Sequence, residues 1–190
     1  MKSHAMLLLW ACLGLLSGCA PLLVAGVGTA AVAAHDRRSL GAFLDDQTIE
    51  MKAGSALRSD DELKRDTNIN VTSLNGIVLM SGEAPTSELR DRALAKMRDI
   101  GGIRRIVNEV RVAPIASFAS RSHDTWLTTK VKTKLIHTED LDSTRVKVVT
   151  ENDAVYLMGL VTQKEAALAT EAARSIQGSD RVVKLFEYID

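Results

Sequence analysis

The chain carries the same unit twice, and that repeat limits its fold more than any other feature. Residues 46–112 and 124–189 align with two one-residue shifts. Asp46, Lys52 and Leu57 correspond to Asp124, Lys130 and Leu135. Val71, Asn75, Val78, Gly82 and Glu88 correspond to Val148, Asn152, Val155, Gly159 and Glu165. Ile100, Gly102, Arg105 and Val107 correspond to Ile176, Gly178, Arg181 and Val183. The order never changes, so the architecture is two copies of one supersecondary unit. Each copy is small enough for its core to be marginal alone, and packing of the copies against each other is expected.

Within a copy the pattern reads helix, strand, strand, helix, strand. Leu127, Val131 and Leu135 recur every four residues and mark one helix face. Val146–Val149 and Ala154–Met158 are strand-like runs, with Glu151-Asn152-Asp153 turning between them. In the first copy Asn75-Gly76 is a hairpin turn, because both residues tolerate positive φ. The second helix of the second copy has Thr162 and Glu165 at capping-box spacing and Gly178 beyond its end. In the first copy Leu89, Ala93, Met97 and Ile100 form its stripe. A strand then follows, spanning 106–112 in the first copy and 182–189 in the second. Reached through a helix, that strand pairs parallel with a hairpin strand. The expected class is α+β, with a three-stranded mixed sheet packed on two helices in each copy (αββαβ).

The N-terminus carries a different signal. Lys2 and His4 precede an apolar stretch from Ala5 to Leu16, shorter than the roughly 20 residues that span a bilayer. Leu16-Ser17-Gly18-Cys19 resembles a bacterial lipobox. The resemblance implies a signal peptide over 1–18, cleavage before Cys19, and diacylglyceryl and amide-linked acyl chains (palmitate) on that cysteine. A transmembrane reading would continue through Pro21, Gly26 and Gly28, which interrupt it. Ala20 in place of Asp suggests sorting to the outer membrane. Several acyl chains make a lasting anchor where one would not. With Cys12 in the discarded segment and Cys19 acylated, no thiol remains for a disulfide, a metal or a nucleophile.

The succession of first helix, paired strands, a strand ending in Gly82 or Gly159, a helix, a glycine, and Arg105-x-Val107 or Arg181-x-Val183 resembles the BON domain family. Residues 123–126 and 155–162 carry the likeness in the second copy. A lipobox followed by two BON units is similar to the dual BON-domain outer-membrane lipoproteins. The resemblance implies a non-enzymatic protein facing the periplasm, which binds phospholipid, supports envelope integrity and gathers at division sites. The expected organisation is a signal peptide (1–18), a lipidated N-terminus and tether (19–44), BON domain 1 (45–112), a linker (113–122) and BON domain 2 (123–190). Residues 20–44 could reach roughly 80 Å if extended at about 3.3 Å each.

Charge narrows the partners. The chain has 24 Lys+Arg and 24 Asp+Glu, and removal of 1–18 takes only Lys2 from that balance. A nucleic-acid binder would show a basic excess, so no nucleic acid is expected. Catalytic signatures are missing. His35, His123 and His137 stand apart from the spaced ligands of a zinc site, so no metal or other cofactor is expected. There is no P-loop and no nucleophile elbow. Asp45-Asp46 and Asp60-Asp61-Glu62 read as helix-start charge and a solvated loop.

The two first helices differ where folding does not require it. At 100° per residue Trp126, Lys130, Thr133 and His137 share a stripe away from the core, with Lys134 at its edge and Lys132 projecting elsewhere. The first copy has Thr48, Gly54 and Ala56 in place of Trp126, Lys132 and Lys134, and adds Asp45 and Glu50. An indole beside lysines suits a membrane interface. The expected ligand is an anionic phospholipid, phosphatidylglycerol or cardiolipin, bound by Trp126, Lys130, Lys132, Thr133, Lys134 and His137. Trp126 can equally cover an interdomain contact, with the lysines a solvated face. The protein would then be an adaptor for outer-membrane assembly, division or cell-wall hydrolase control.

Overall fold

A computed structural model of the protein describes residues 37–190. The signal peptide, Cys19 and most of the tether lie outside the described residues. The first helix, α1 (Leu40–Arg58), begins at Ser39, whose side chain accepts from the Ala42 N–H at 3.1 Å. It buries Asp46, Ile49, Ala53 and Leu57, one residue per turn. A short α2 (Asp61–Asp66) follows, capped by Asp60. The acidic run at 60–62 therefore starts a helix and is not an open loop. Then come β1 (Asn68–Leu74), β2 (Ile77–Ala84), α3 (Ser87–Arg98), β3 (Arg105–Asn108) and β4 (Arg111–Val112).

The second copy keeps this order, with no short second α-helix and one unbroken last strand, as α4 (Phe118–Ile136), β5 (Lys147–Glu151), β6 (Ala154–Val161), α5 (Gln163–Arg174) and β7 (Arg181–Tyr188). Helix α4 starts inside the expected linker, because Ser117 caps it by accepting from the Ser120 N–H. Leu127, Val131 and Leu135 are all buried, as their spacing requires. The capping box of Thr162 and Glu165 closes the start of α5.

Both sheets have the expected mixed form. β1 runs antiparallel and β3 parallel to β2, while β5 and β7 flank β6 in the same way. The hairpin turns have positive φ at both central residues, 51° and 72° at Asn75-Gly76 and 50° and 61° at Asn152-Asp153. Such turns match the twist of the strands they join. Strand β2 does not end at its glycine but continues to Ala84. Gly82 has φ +106°, and a Cβ there would lie 1.8 Å from the Asn68 carbonyl oxygen. Opposite it the expected last strand of the first copy breaks between β3 and β4, where Asn108 Oδ1 accepts from the Val110 N–H.

Each hairpin is clamped to its first helix by a buried carboxylate. Asp46 accepts from Ser73 Oγ at 2.6 Å, from the Asn75 N–H at 2.6 Å and from the Gly76 N–H at 2.9 Å. Arg38 also donates to it at 2.7 Å. Asp124 accepts from the N–H groups of Asn152 and Asp153, each at 3.0 Å. Asp46 sits in the second turn and is 1% exposed, so helix-start charge does not explain it. The matched aspartates of the repeat are the pins that fix the matched turns.

The copies pack sheet to sheet. Leu74, Ile77 and Leu79 of one meet Ala154, Tyr156, Met158 and Leu185 of the other in a shared core. The helices lie on the outer faces, α1 and α3 over the first sheet and α4 and α5 over the second. All eight residues of β2 are buried, since it has protein on both sides. Polar groups rim the shared core with approximate two-fold logic. The turn Asn75 donates to Glu187 across the interface, and the turn Asn152 donates to Glu83. Arg104 pairs with Glu187 and Arg181 with Glu109.

Candidate functional site

Helix α4 presents the candidate face. Asp124 is its only acidic residue and is buried on the turn of its hairpin. What remains exposed on the helix is therefore cationic or neutral, with Arg121, Lys132 and Lys134 exposed and Lys130 partly buried. Helix α1, the matched element, carries Asp45 exposed and Glu50 facing Lys147 at 2.9 Å.

Trp126 is 50% exposed. Its near neighbours belong to the second copy, so it does not cover the contact between the copies. Lys130 Nζ sits 4.1 Å from the centroid of the indole, one turn on. The His123 ring lies 5.3 Å away at 47°, one turn back. The indole edge leans on Gly178, where an added Cβ would come within 3.8 Å of Trp126 Cζ3 and 3.3 Å of His123 Nε2. The glycine of the repeat thus leaves room for the ring pair. The cation–π contact holds the Lys130 ammonium over the ring face and is worth about 0.5–1 kcal/mol at such an exposed site.

The other expected residues divide. His137 ends the helix, with its N–H shared between the carbonyls of Thr133 and Lys134, and its Nδ1 is 2.8 Å from the Thr133 carbonyl oxygen. That contact requires Nδ1–H to donate, which leaves Nε2 outward. Lys132 and Lys134 project to solvent and form no ion pair among the described residues. Of the three lysines, Lys130 is the one held over the Trp126 ring. Two contributors were not legible as such from the sequence, Arg121 and His123. Arg121 fell in the expected linker, and its signal would have been the Ser117 cap. His123 precedes Trp126 by three residues, the spacing of helical neighbours. Apolar Phe118 and Ile136, 79% and 65% exposed, stand at the two ends of the helix. Among the described residues no group of acidic, histidine or cysteine side chains could hold a metal ion. No described helix is long and apolar enough to cross a membrane.

Two back-to-back mixed-sheet units of αββαβ order define a tandem-repeat α+β protein with a basic, tryptophan-bearing face on an outer helix. The chain belongs to the BON domain family, whose profile matches residues 45–114 and 123–190. It is 39% identical over 92% of its length, and 91% of the relative's, to the outer membrane lipoprotein DolP of Haemophilus influenzae. It is 36% identical over 81% of its length, and 79% of the relative's, to a protein named 21 kDa hemolysin from Actinobacillus pleuropneumoniae. Osmotically-inducible protein Y of Escherichia coli is 29% identical over 73% of the chain and 70% of its own length. The chain is thus a DolP-like, dual-BON protein.

Proposed function

We propose that this chain is an outer-membrane lipoprotein, anchored through Cys19 and facing the periplasm, whose second BON domain binds anionic phospholipid through α4. Its role is binding and not catalysis, and it serves cell-envelope integrity, including at division sites. The observation that carries this reading is a half-exposed tryptophan on a helix with four basic side chains and no exposed acid. The indole suits the headgroup level. Each lysine near an anionic surface contributes about 1 kcal/mol, so Lys130, Lys132 and Lys134 give at most ~3 kcal/mol before screening. That is weak for a free protein and enough for one already tethered, whose effective concentration at the membrane is high. Phosphatidylglycerol and cardiolipin have the required charge. The name of the Haemophilus relative, an outer membrane lipoprotein, supports the anchor and the compartment.

The test is co-sedimentation of unlipidated residues 36–190 with vesicles. Neutral vesicles are compared with vesicles containing phosphatidylglycerol, at low and moderate salt. Binding confined to the anionic vesicles and weakened by salt is expected, and Trp126→Glu should remove it while leaving the far-UV circular dichroism intact. Absence of binding to both vesicle types would reject the lipid assignment.

A further inference from the structure

The first copy has an outer groove whose lining differs from the matched positions of the second. It lies between the C-terminal half of α3 and the edge strand β3, with a volume of about 430 Å³. Leu94, Met97, Ile100, Ile103 and Ile106 line it, and Arg98, Arg104 and Arg105 stand along it. At the matched positions the second copy has Thr170, Ala173 and Ser179 in place of Leu94, Met97 and Ile103, and Asp180 in place of Arg104. Its Arg181, the counterpart of Arg105, is engaged with Glu109 and Tyr156. Arg98 and Arg105 form no ion pair among the described residues, whereas Arg104 is held by Glu187.

Strand β3 is the free edge of its sheet. The N–H groups of Arg105 and Glu109 donate inward to Gly76 and Met80. By alternation along the strand the backbone groups of Ile106 and Asn108 face away from β2. These are unpaired donors and acceptors beside an apolar floor and under a positive rim. Edge arginines alone would serve to keep strangers off the sheet. A floor of four partly exposed aliphatic side chains, Leu94, Ile100, Ile103 and Ile106, over buried Met97 does the reverse.

We propose that this groove binds an extended, acidic segment of a partner protein, which adds as a strand along β3 with alternate aliphatic side chains on the α3 floor and its carboxylates on Arg98 and Arg105. Strand addition accounts for the edge groups, and charge complementarity sets the sign of the ligand. An acyl chain would leave the edge backbone unsatisfied. The site is independent of the lipid face on α4.

The experiment uses the full acylated chain in detergent micelles and a fluorescein-labelled peptide of alternating valine and threonine ending in two glutamates. Fluorescence anisotropy should rise to saturation, and hydrogen exchange should slow over residues 104–108. A peptide ending in two lysines and a C-terminal amide should bind at least tenfold more weakly. So should a glutamate peptide N-methylated on alternate residues, and the acidic peptide on the Arg98→Glu/Arg105→Glu variant. Trp126→Glu should bind the acidic peptide like the parent. No rise in anisotropy with the acidic peptide, equal binding of the lysine or N-methylated peptide, or no exchange protection at 104–108 would overturn the proposal.

Discussion

Replacing Asp46 with Ala removes the clamp that holds the first hairpin to α1. The carboxylate accepts from two turn N–H groups and from Ser73 Oγ, all within 2.9 Å. Each buried donor left without a partner costs about 1–3 kcal/mol, and alanine strands three. Water can reach part of the turn, so the expected loss is about 4 kcal/mol. For a folded unit of this size 1 kcal/mol shifts Tm by about 2–4 °C, so Asp46→Ala should melt roughly 12 °C early. Asp45, adjacent and exposed, is the control, and Asp45→Ala should change stability by less than about 0.5 kcal/mol. The pH dependence has a definite sign. Burial pushes the Asp46 carboxyl up, but the bonds from Gly76, Ser73, Asn75 and Arg38 outweigh it and hold it below its ordinary value. Its stabilisation is therefore present above the unfolded-state value and disappears as pH falls through the folded one. The parent should lose stability below about pH 4, more steeply than Asp46→Ala. Thermal melts by far-UV circular dichroism across pH 3–7 would show both effects. Equal melting of the Asp45 and Asp46 variants would refute the clamp.

Gly82→Ala should prevent folding of the first copy, since the new methyl would lie 1.8 Å from the Asn68 carbonyl oxygen at φ +106°; proteolysis of the variant by trypsin should release the second copy or degrade the whole chain. Glu165 is pushed up by burial but held at about 2 by the Thr162 N–H, Arg37 and Arg145, a contribution of about 3 kcal/mol above pH 4.5 that fades as pH falls toward 2. Glu165→Gln should lower guanidinium-measured stability at pH 7 and flatten the acid limb. Glu151 moves the other way, because burial and the neighbouring Glu83 raise its carboxyl despite the Asn70 bond. Its ionised form is a cost that is full above the folded value and is lost as pH falls to the ordinary carboxylate value, so Glu151→Gln should stabilise the chain at pH 8 more than at pH 5.

Much of the fold was legible because its signals are local. The four-residue spacing of Leu127, Val131 and Leu135, the Asn75-Gly76 turn and the capping box each depend on neighbours within one element. The run Ala154–Met158 read as a strand, but its burial on both faces comes from the sheet-to-sheet packing. The aspartate clamps were not legible as clamps. The repeat marked Asp46 and Asp124, but periodicity does not show that a carboxylate is buried or which turn it meets. The start of α4 was hidden for a similar reason. Residues 118–123 have only Phe118 and Ala119 as apolar side chains, both exposed, so no buried stripe marks them, and the Ser117 cap is the sole cue. For the candidate site, the Trp126 stripe was readable from helical angle alone. The contributions of His123 and Gly178 were not, because Gly178 reaches the indole through the tertiary fold.

Trp126 supplies its own reporter. The chain contains two tryptophans, and Trp10 is absent from residues 36–190. The emission of that fragment should be recorded on neutral vesicles and on phosphatidylglycerol vesicles, each also prepared with lipids brominated near the headgroup end of the acyl chains. Lipid binding through α4 predicts a blue shift and bromine quenching on the anionic vesicles alone, both reversed by salt. Protein that sediments with anionic vesicles while its Trp126 emission stays unshifted and unquenched would place the membrane contact elsewhere and contradict the role of this helix.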